Sequence, residues 1–176
     1  MSMNSVFPTN KTMSFKTRLF CWGLNLFPTY RRTGGRAFFI SDDLKDVHIR
    51  LKLGWGTRNY VGTTFGGSLA SAADPIYMIQ LMRLLGDDYI VWDKAASIRF
   101  RRPGNQTLYI RFLIEDDLLE QIKQRVVTEQ EFDLELETDW IDVKGKVYAT
   151  VTKTLYVADK AFYKEKQKAK KAAKTS

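Results

Sequence analysis

The sequence predicts an α+β fold in which an antiparallel sheet wraps around one buried helix. Residues 76–85 are apolar at nearly every position, as in a helix enclosed on most sides. Several other stretches alternate apolar with polar residues, which is typical of strands with one face in solvent. The chain has 176 residues, of which 44% are hydrophobic, and is therefore long enough for one such domain.

The predicted strands cover residues 36–40, 46–53, 89–102, 107–115, 132–141 and 147–157. In the fifth, leucines alternate with glutamates from 134 to 137, which predicts one buried and one solvated face. Residues 142–145 have the composition of a short hairpin loop. The charged stretch 116–130 is expected to be a short helix or a loop.

An amphipathic helix is predicted near the start of the chain, behind Ser14 as its N-cap. Its apolar residues recur at helical spacing: Phe15, Leu19, Trp22 and Leu26. We expect this helix to end near Pro28 and to cover an open side of the sheet. These patterns divide the chain into an irregular segment over residues 1–13, a single domain over 14–158 and a lysine-rich tail over 159–176.

Charge and cysteine content exclude several function classes. The formal net charge is +8, but residues 160–176 supply most of it, with seven lysines against Glu165. No basic stripe with interleaved aromatic residues is evident, so nucleic acid is not expected as a partner. Cys21 is the only cysteine, which excludes an internal disulfide and a cysteine-rich metal site and makes the cytoplasm the default location. No apolar run reaches the roughly 20 residues of a transmembrane segment.

The candidate chemistry lies in the segment 59–74, where a glycine pair leads into a helix that carries a carboxylate. Gly66 and Gly67 let a substrate approach the backbone closely, and the first N–H groups of a helix have no intrahelical partner. Such free donors can hold an oxyanion. Asp74 follows Gly67 by seven residues, about two helical turns, and should therefore lie on the same helix face.

Two residues of this segment also have plain structural interpretations. Asp74 precedes Pro75, a pair that often starts a helix with the aspartate as N-cap. A compromise is one helix over residues 68–85 that is kinked at Pro75, where the N–H is missing. Asn59 has the composition of a turn residue.

The pattern Asn59-x-x-Gly62-Thr63-x-Phe65-Gly66-Gly67, followed by Asp74, resembles the signature of hotdog-fold acyl-CoA thioesterases of the phenylacetate-pathway type. The neighbouring segments resemble an uncharacterised branch of that superfamily, which carries a domain of unknown function. These segments are 33–36, 66–69, 74–78 and 90–96. The resemblance covers about residues 15–157 and implies a hotdog fold.

The resemblance implies a role for three residues. Asn59 would orient the thioester carbonyl or the water, the Gly67 N–H would polarise the carbonyl, and Asp74 would activate the water. Phe65 stands where the family has a histidine, so a non-catalytic acyl or acyl-CoA binding protein is the alternative to a thioesterase. No cofactor is implied beyond coenzyme A as part of the substrate, and no cluster supports a metal site.

Substrate contacts are predicted around this motif. Beside the glycine pair and on the helix these are Phe65, Gly66, Ser68, Ser71, Tyr77 and Met78, with Leu81 and Met82 as further candidates to line an acyl tunnel. Such apolar helix residues are core by default. Arg99, Arg101 and Arg102 form the best anion patch for coenzyme A phosphates, although a solvated face is the other interpretation.

His48, the only histidine, is expected to point outward from a strand. A serine triad is therefore not expected. The resemblance also implies a homodimer or tetramer, since related hotdog proteins pair their sheets edge to edge. An open strand edge gives a physical reason for such pairing.

Overall fold

A computed structural model describes residues 6–7 and 9–175, the last two of these by their backbone only. Its strands are β1 (Gly35–Ile40), β2 (Asp46–Leu51), β3 (Tyr89–Phe100), β4 (Leu108–Leu113), β5 (Glu131–Ile141) and β6 (Val147–Asp159). Its helices are α1 (Phe15–Leu26), α2 (Pro28–Arg32), α3 (Gly66–Ala73), α4 (Ile76–Leu85), α5 (Asp116–Glu129) and α6 (Lys160–Thr175). Of the segment predicted to be irregular, residues 1–5 and 8 lie outside the described residues.

The strands form one antiparallel sheet in the order β1-β2-β4-β5-β6-β3. The longest ladders join β6 to β5 and to β3, so that Val157 lies opposite both Phe132 and Val91. This leaves β1 and β3 as the two edges. With α3 and α4 packed against it, the sheet has the predicted hotdog arrangement, and the six predicted strands are confirmed.

The central helix is broken in its middle. α3 ends at Ala73, Asp74 and Pro75 form the junction, and α4 begins at Ile76. Pro75 has no N–H to donate to the preceding turn, which explains the break. The kinked-helix prediction is therefore confirmed, with a start at Gly66 rather than at residue 68.

The core lies between this helix pair and the facing sheet surface. Tyr77 packs edge-on against Phe112 with ring centroids 4.9 Å apart, and Trp140 donates from Nε1 to the Leu69 carbonyl at 3.1 Å. All three aromatic rings are buried, and burial of a side chain such as Phe112 stabilises the fold by about 1.5 to 3 kcal/mol. These contacts fix α3 and α4 on the sheet.

Helix α1 is capped as predicted, but its apolar residues face away from the sheet. Ser14 accepts a hydrogen bond from the Thr17 N–H. The buried side of the helix carries Thr17 and Cys21, whereas the predicted apolar stripe is exposed. The reason lies in β1, the edge strand beside it: Asn25 donates from Nδ2 to the Ala37 carbonyl at 2.7 Å and accepts from the Ala37 N–H at 2.8 Å.

The amide of Asn25 thus satisfies backbone groups that an edge strand leaves open. Small and polar side chains on that face allow this close approach. As expected, α1 covers an open side of the sheet, but not with its most apolar face.

Helices α5 and α6 lie in the second half of the chain. The charged stretch expected to be a short helix or loop forms α5, which packs Leu119, Ile122 and Val126 inward. The lysine-rich tail forms α6, where Lys166 pairs with Glu131. Within the described residues, no helix combines the length and apolarity that crossing a membrane requires.

The prediction that His48 points outward is wrong. His48 is buried beneath the rings of Phe7, Phe38 and Phe39, and its Nε2 lies 2.9 Å from Asp46 Oδ1. Arg111 donates to both oxygens of Asp46 at 2.8 Å. Alternation correctly put His48 on the second face of the strand, but aromatic side chains and the N-terminal segment cover that face.

Asp46 is held ionised within this cluster. Burial raises the pKa of Asp46, but hydrogen bonds from His48 and Arg111 outweigh burial and leave the pKa well below its ordinary value of 3.8. Because the pKa is lower in the folded state, the cluster stabilises the protein above pH 3.8, and this contribution is lost as the pH falls further.

We expect Asp46→Asn to lower the free energy of unfolding by about 3 kcal/mol at neutral pH, because it leaves Arg111 without its paired charge. Urea denaturation measures this. The matched control is Asp116→Asn, since Asp116 pairs with Lys45 but is 79% exposed, and exposed pairs contribute at most about 1 kcal/mol. Equal losses of stability in the two variants would contradict a stabilising role for the buried pair of Asp46 and Arg111.

Candidate active site

The glycine pair forms the first turn of α3. Phe65 is its N-cap residue, and the N–H groups of Ser68 and Leu69 bond to the Phe65 carbonyl. The N–H groups of Gly66 and Gly67 have no hydrogen-bond partner among the described residues. They are available to bind an oxyanion, which the positive end of the helix dipole favours.

Aromatic rings lie directly over both glycines. A Cβ at Gly66 would come within 2.6 Å of the Phe100 ring, and a Cβ at Gly67 would overlap the Phe65 ring. Neither position has a positive φ, so the requirement for glycine here is close approach and not backbone conformation. Phe65, the residue in place of the family histidine, thus packs against Gly67, the residue that carries the candidate donor.

One groove of about 320 Å³ contains both the donor and the carboxylate. Gly67, Ser71 and Asp74 line it from α3, as their spacing predicts. Ala96, Ser97 and Ile98 of β3 and Val151 and Lys153 of β6 form the opposite side. Since β3 is an edge strand, the groove lies at the open edge of the sheet.

The Asp74 carboxylate is held by a buried lysine. Lys153 Nζ donates to Asp74 Oδ1 at 2.8 Å and lies 3.0 Å from Asp93 Oδ1. The Lys153 side chain is 1% exposed, whereas that of Asp74 is 59% exposed. The second oxygen of Asp74, Oδ2, has no hydrogen-bond partner among the described residues and remains able to accept one.

The alternative interpretation of Asp74 as a helix N-cap is wrong. The residue at the N-cap position of α4 is Pro75, and no side chain caps that helix. Asp74 has helical dihedral angles, with φ −52° and ψ −55°, and ends α3. Its carboxylate therefore meets Lys153 rather than the N–H groups of the next turn.

Asp93 completes a carboxylate–ammonium–carboxylate cluster. Burial raises the pKa of Asp93 above its ordinary value and the charge of Asp74 adds to this, while Lys153 opposes both. The cluster joins α3, β3 and β6 at one point. The bulge of β3 between Asp93 and Ala95 lies there too.

Lys153 was missed in the sequence, although a signal existed. Strand β6 alternates so that Val151, Lys153 and Leu155 share the buried face. A lysine on the apolar phase of a strand is rarely buried without a partner. That irregularity predicts a buried counter-charge, and its identity depends on which residues the fold brings near.

Asn59 closes its own loop. Its side chain donates from Nδ2 to Thr63 Oγ1 and accepts from the Thr63 N–H, both at 2.9 Å. Gly62, within this loop, has a positive φ of 83°. Asn59 is not among the residues that line the groove, so its expected role in orienting a substrate stays a prediction.

The other predicted substrate contacts divide into two groups. Ser71 lines the groove and donates from Oγ to the Gly67 carbonyl at 2.7 Å, and the Phe65 ring packs beside Gly67. Ser68, Tyr77 and Leu81 are buried, and Met78 packs against the core, as the default interpretation of an apolar helix predicts. Burial raises the pKa of Tyr77 to about 12, and a side-chain hydrogen bond with Thr138 acts in the opposite direction.

The predicted anion patch is partly engaged in the sheet. Arg101 donates from Nε to Thr150 Oγ1 at 2.9 Å, and Arg102 donates to the Val147 carbonyl at 2.6 Å. Arg99 is exposed on β3. Of the three arginines, Arg99 is the one with no hydrogen bond or ion pair to a described residue.

A second, apolar groove of about 340 Å³ lies between α1 and α4 and is lined by Phe20, Leu24, Phe27, Ile79 and Met82, among others. A neighbouring groove of similar volume shares Leu24, Phe27 and Ile79 with it and extends to Ser71 and Asp74. Apolar surface therefore leads from the outer side of α4 to the Asp74 carboxylate.

The matching family is a domain of unknown function, DUF4442, whose model spans residues 17–157. The chain belongs to this family. The match confirms the predicted membership of a family that is defined by a domain of unknown function. A comparison with curated proteins finds no match.

Solved structures support the fold. A Pseudomonas aeruginosa protein described as a probable thioesterase is 21% identical, with 84% of this chain and 98% of that chain covered at a TM-score of 0.70. A Chlorobaculum tepidum protein of unknown function is 12% identical, with coverages of 81% and 93% and a TM-score of 0.62. A Haemophilus influenzae thioesterase is 13% identical, with coverages of 85% and 93% and a TM-score of 0.59.

We expect Lys153→Met to lower the free energy of unfolding by about 3 kcal/mol, because it leaves Asp93 half-buried beside Asp74 without a cation. In the double variant Lys153→Met/Asp93→Asn the loss should be smaller than the sum of the single losses, which a double-mutant cycle by denaturation measures. Lys94→Met is the control, since Lys94 and Asp133 form an exposed pair. Strict additivity would show that the cluster is not energetically coupled.

Proposed function

We propose that this protein hydrolyses a thioester of the acyl-CoA type. The observation that carries the proposal is the shared groove, which is lined by the exposed Asp74 carboxylate and by Gly67, whose N–H has no partner among the described residues. Thioester hydrolysis needs both parts, a base for the water and donors for the oxyanion.

In the proposed reaction, Asp74 Oδ2 accepts a proton from a water, whose oxygen attacks the thioester carbonyl carbon. The Gly67 N–H, with that of Gly66 nearby, stabilises the negative charge that develops on the carbonyl oxygen. The C–S bond then breaks. The thiolate leaves with the proton returned from Asp74, and the products are a free thiol and a carboxylic acid.

Lys153 acts as a positioning residue in this scheme. By binding Oδ1 it fixes the carboxylate orientation and leaves Oδ2 toward the groove. Its burial removes competing water from the ammonium, so the contact is stronger than an exposed pair would be. Asp93 holds the other side of the ammonium.

The surroundings suit both halves of an acyl-CoA. The apolar grooves between α1 and α4 reach Asp74 and can accept an acyl chain. Arg99, exposed on β3, can bind a phosphate, and we keep Arg101 and Arg102 as secondary candidates because both are already hydrogen-bonded. We further propose a homodimer paired through the β3 edge, since the groove opens there and the edge has no strand partner among the described residues.

One observation favours a second function, acyl or acyl-CoA binding without turnover. The Phe65 ring packs over Gly67, where the resembled thioesterases carry a histidine. This places an apolar ring beside the candidate oxyanion donor. A binding protein predicts saturable acyl-CoA binding with no release of thiol.

Release of free thiol from a panel of acyl-CoA esters tests the proposal. We expect Asp74→Asn to lower kcat by about 10² to 10⁴, because the amide keeps the shape of the carboxylate but cannot accept the proton. Asp87→Asn, an exposed aspartate outside the groove, is the matched control and should retain full activity. Unchanged turnover in Asp74→Asn would remove Asp74 as the base, and saturable binding without any wild-type turnover would favour the second function.

A further inference from the structure

The exposed apolar side of α1 has no partner among the residues that the structure describes. We name Phe15, Leu19, Trp22 and Leu26 the α1 stripe; their exposed fractions are 81%, 57%, 62% and 45%. At 100° per residue the four fall within about 60° of arc, so they form one contiguous strip. A contiguous exposed apolar patch of this kind marks an interaction surface.

Cations flank the α1 stripe on both sides. Lys16 and Arg18 are exposed and project from opposite margins of it, by the same helical geometry. Arg31 and Arg32 are exposed on α2, directly after α1. None of these four cations forms an ion pair with a described residue.

No carboxylate balances this charge within the surrounding sequence. Residues 1–41 contain no Asp or Glu. The first acidic residue, Asp42, is exposed but lies on the side of α1 away from the stripe, where it accepts hydrogen bonds from the Ser14 N–H and from Thr17 Oγ1 at 2.7 and 2.5 Å. The exposed side of the helix is therefore apolar along its centre and cationic along its margins.

The apolar stripe and its cationic margins together determine which kind of partner can bind this side of α1. A second copy placed stripe to stripe would bring cations together at both margins, which opposes association. An anionic lipid surface offers apolar chains to the stripe and negative headgroups to its margins. Interfacial helices have this arrangement, with Lys and Arg beside the apolar face and an aromatic residue at headgroup depth.

We propose that α1 binds the surface of an anionic membrane, with the α1 stripe inserted among the lipids and Lys16, Arg18, Arg31 and Arg32 at the headgroups. The helix has 12 residues and lies in the interface without crossing it. Binding requires no catalysis, so the inference stands independently of the proposed hydrolysis.

Co-sedimentation with vesicles tests this inference on the full chain. We expect binding to vesicles of phosphatidylcholine with phosphatidylglycerol, weaker binding to phosphatidylcholine alone, and release by salt. Lys16→Gln/Arg18→Gln should weaken partitioning onto the anionic vesicles by about 25-fold, because each cation near such a surface contributes about a fivefold gain.

Leu19→Asp/Trp22→Asp should abolish binding to both vesicle types. The matched control is Val127→Asp, which changes an 80% exposed apolar residue on α5 and should bind like the wild type. All these positions are exposed, so thermal unfolding checks that each variant remains folded. Size-exclusion chromatography of the same variants reports the oligomeric state.

Three results would overturn the inference. The first is equal or absent binding of the wild type to the two vesicle types. The second is vesicle binding that is undiminished in the variant Leu19→Asp/Trp22→Asp, which would show that another cationic segment, such as α6, binds the vesicles. The third is a changed oligomeric state with unchanged vesicle binding, which would make the stripe a protein contact.

Discussion

The ammonium of Lys153 is the constraint on which the site depends. It lies in β6, has almost no exposed surface, and contacts a carboxylate from each of two other elements, Asp74 of the helix junction and Asp93 of β3. A buried cation is costly without such partners. The cluster therefore sets where the broken central helix sits relative to the edge of the sheet.

The break at Pro75 and the cluster support each other. An unbroken helix would carry Asp74 as an ordinary mid-helix residue, with its orientation set by the helix alone. The missing N–H of Pro75 ends α3 at Asp74 and leaves its side chain free to reach Lys153. The helix break caused by Pro75 and the ion pair with Lys153 therefore both determine the position of Asp74.

Both edges of the sheet shape the molecule, in different ways. At β1 the edge is closed internally, because Asn25 of α1 bonds to the N–H and the carbonyl of Ala37. This attachment turns the small and polar face of α1 inward and leaves its apolar face in solvent. At β3 the edge stays open, and the candidate groove lies beside it.

Sequence patterns were sufficient for the architecture. Strand alternation and the apolar helix predicted the α+β class and six strands, and Pro75 predicted the kink in the helix. The segments around the motif predicted the family. The seven-residue spacing from Gly67 to Asp74 correctly implied that both share one helix face, because that relation depends only on helical periodicity.

Relations between distant segments could not be predicted from those patterns. Periodicity located the faces of α1 and β2 but not which face would be covered, so His48 was assigned to the wrong environment and the exposure of the α1 stripe was not predicted. Lys153 is 79 positions from Asp74 along the chain, and local periodicity carries no information on a pairing of that range. The sequence by itself determined the helices, the strands and the motif, because these depend on local geometry. Only the tertiary structure decided the counter-charge of Asp74 and the exposed face of α1, because both depend on packing.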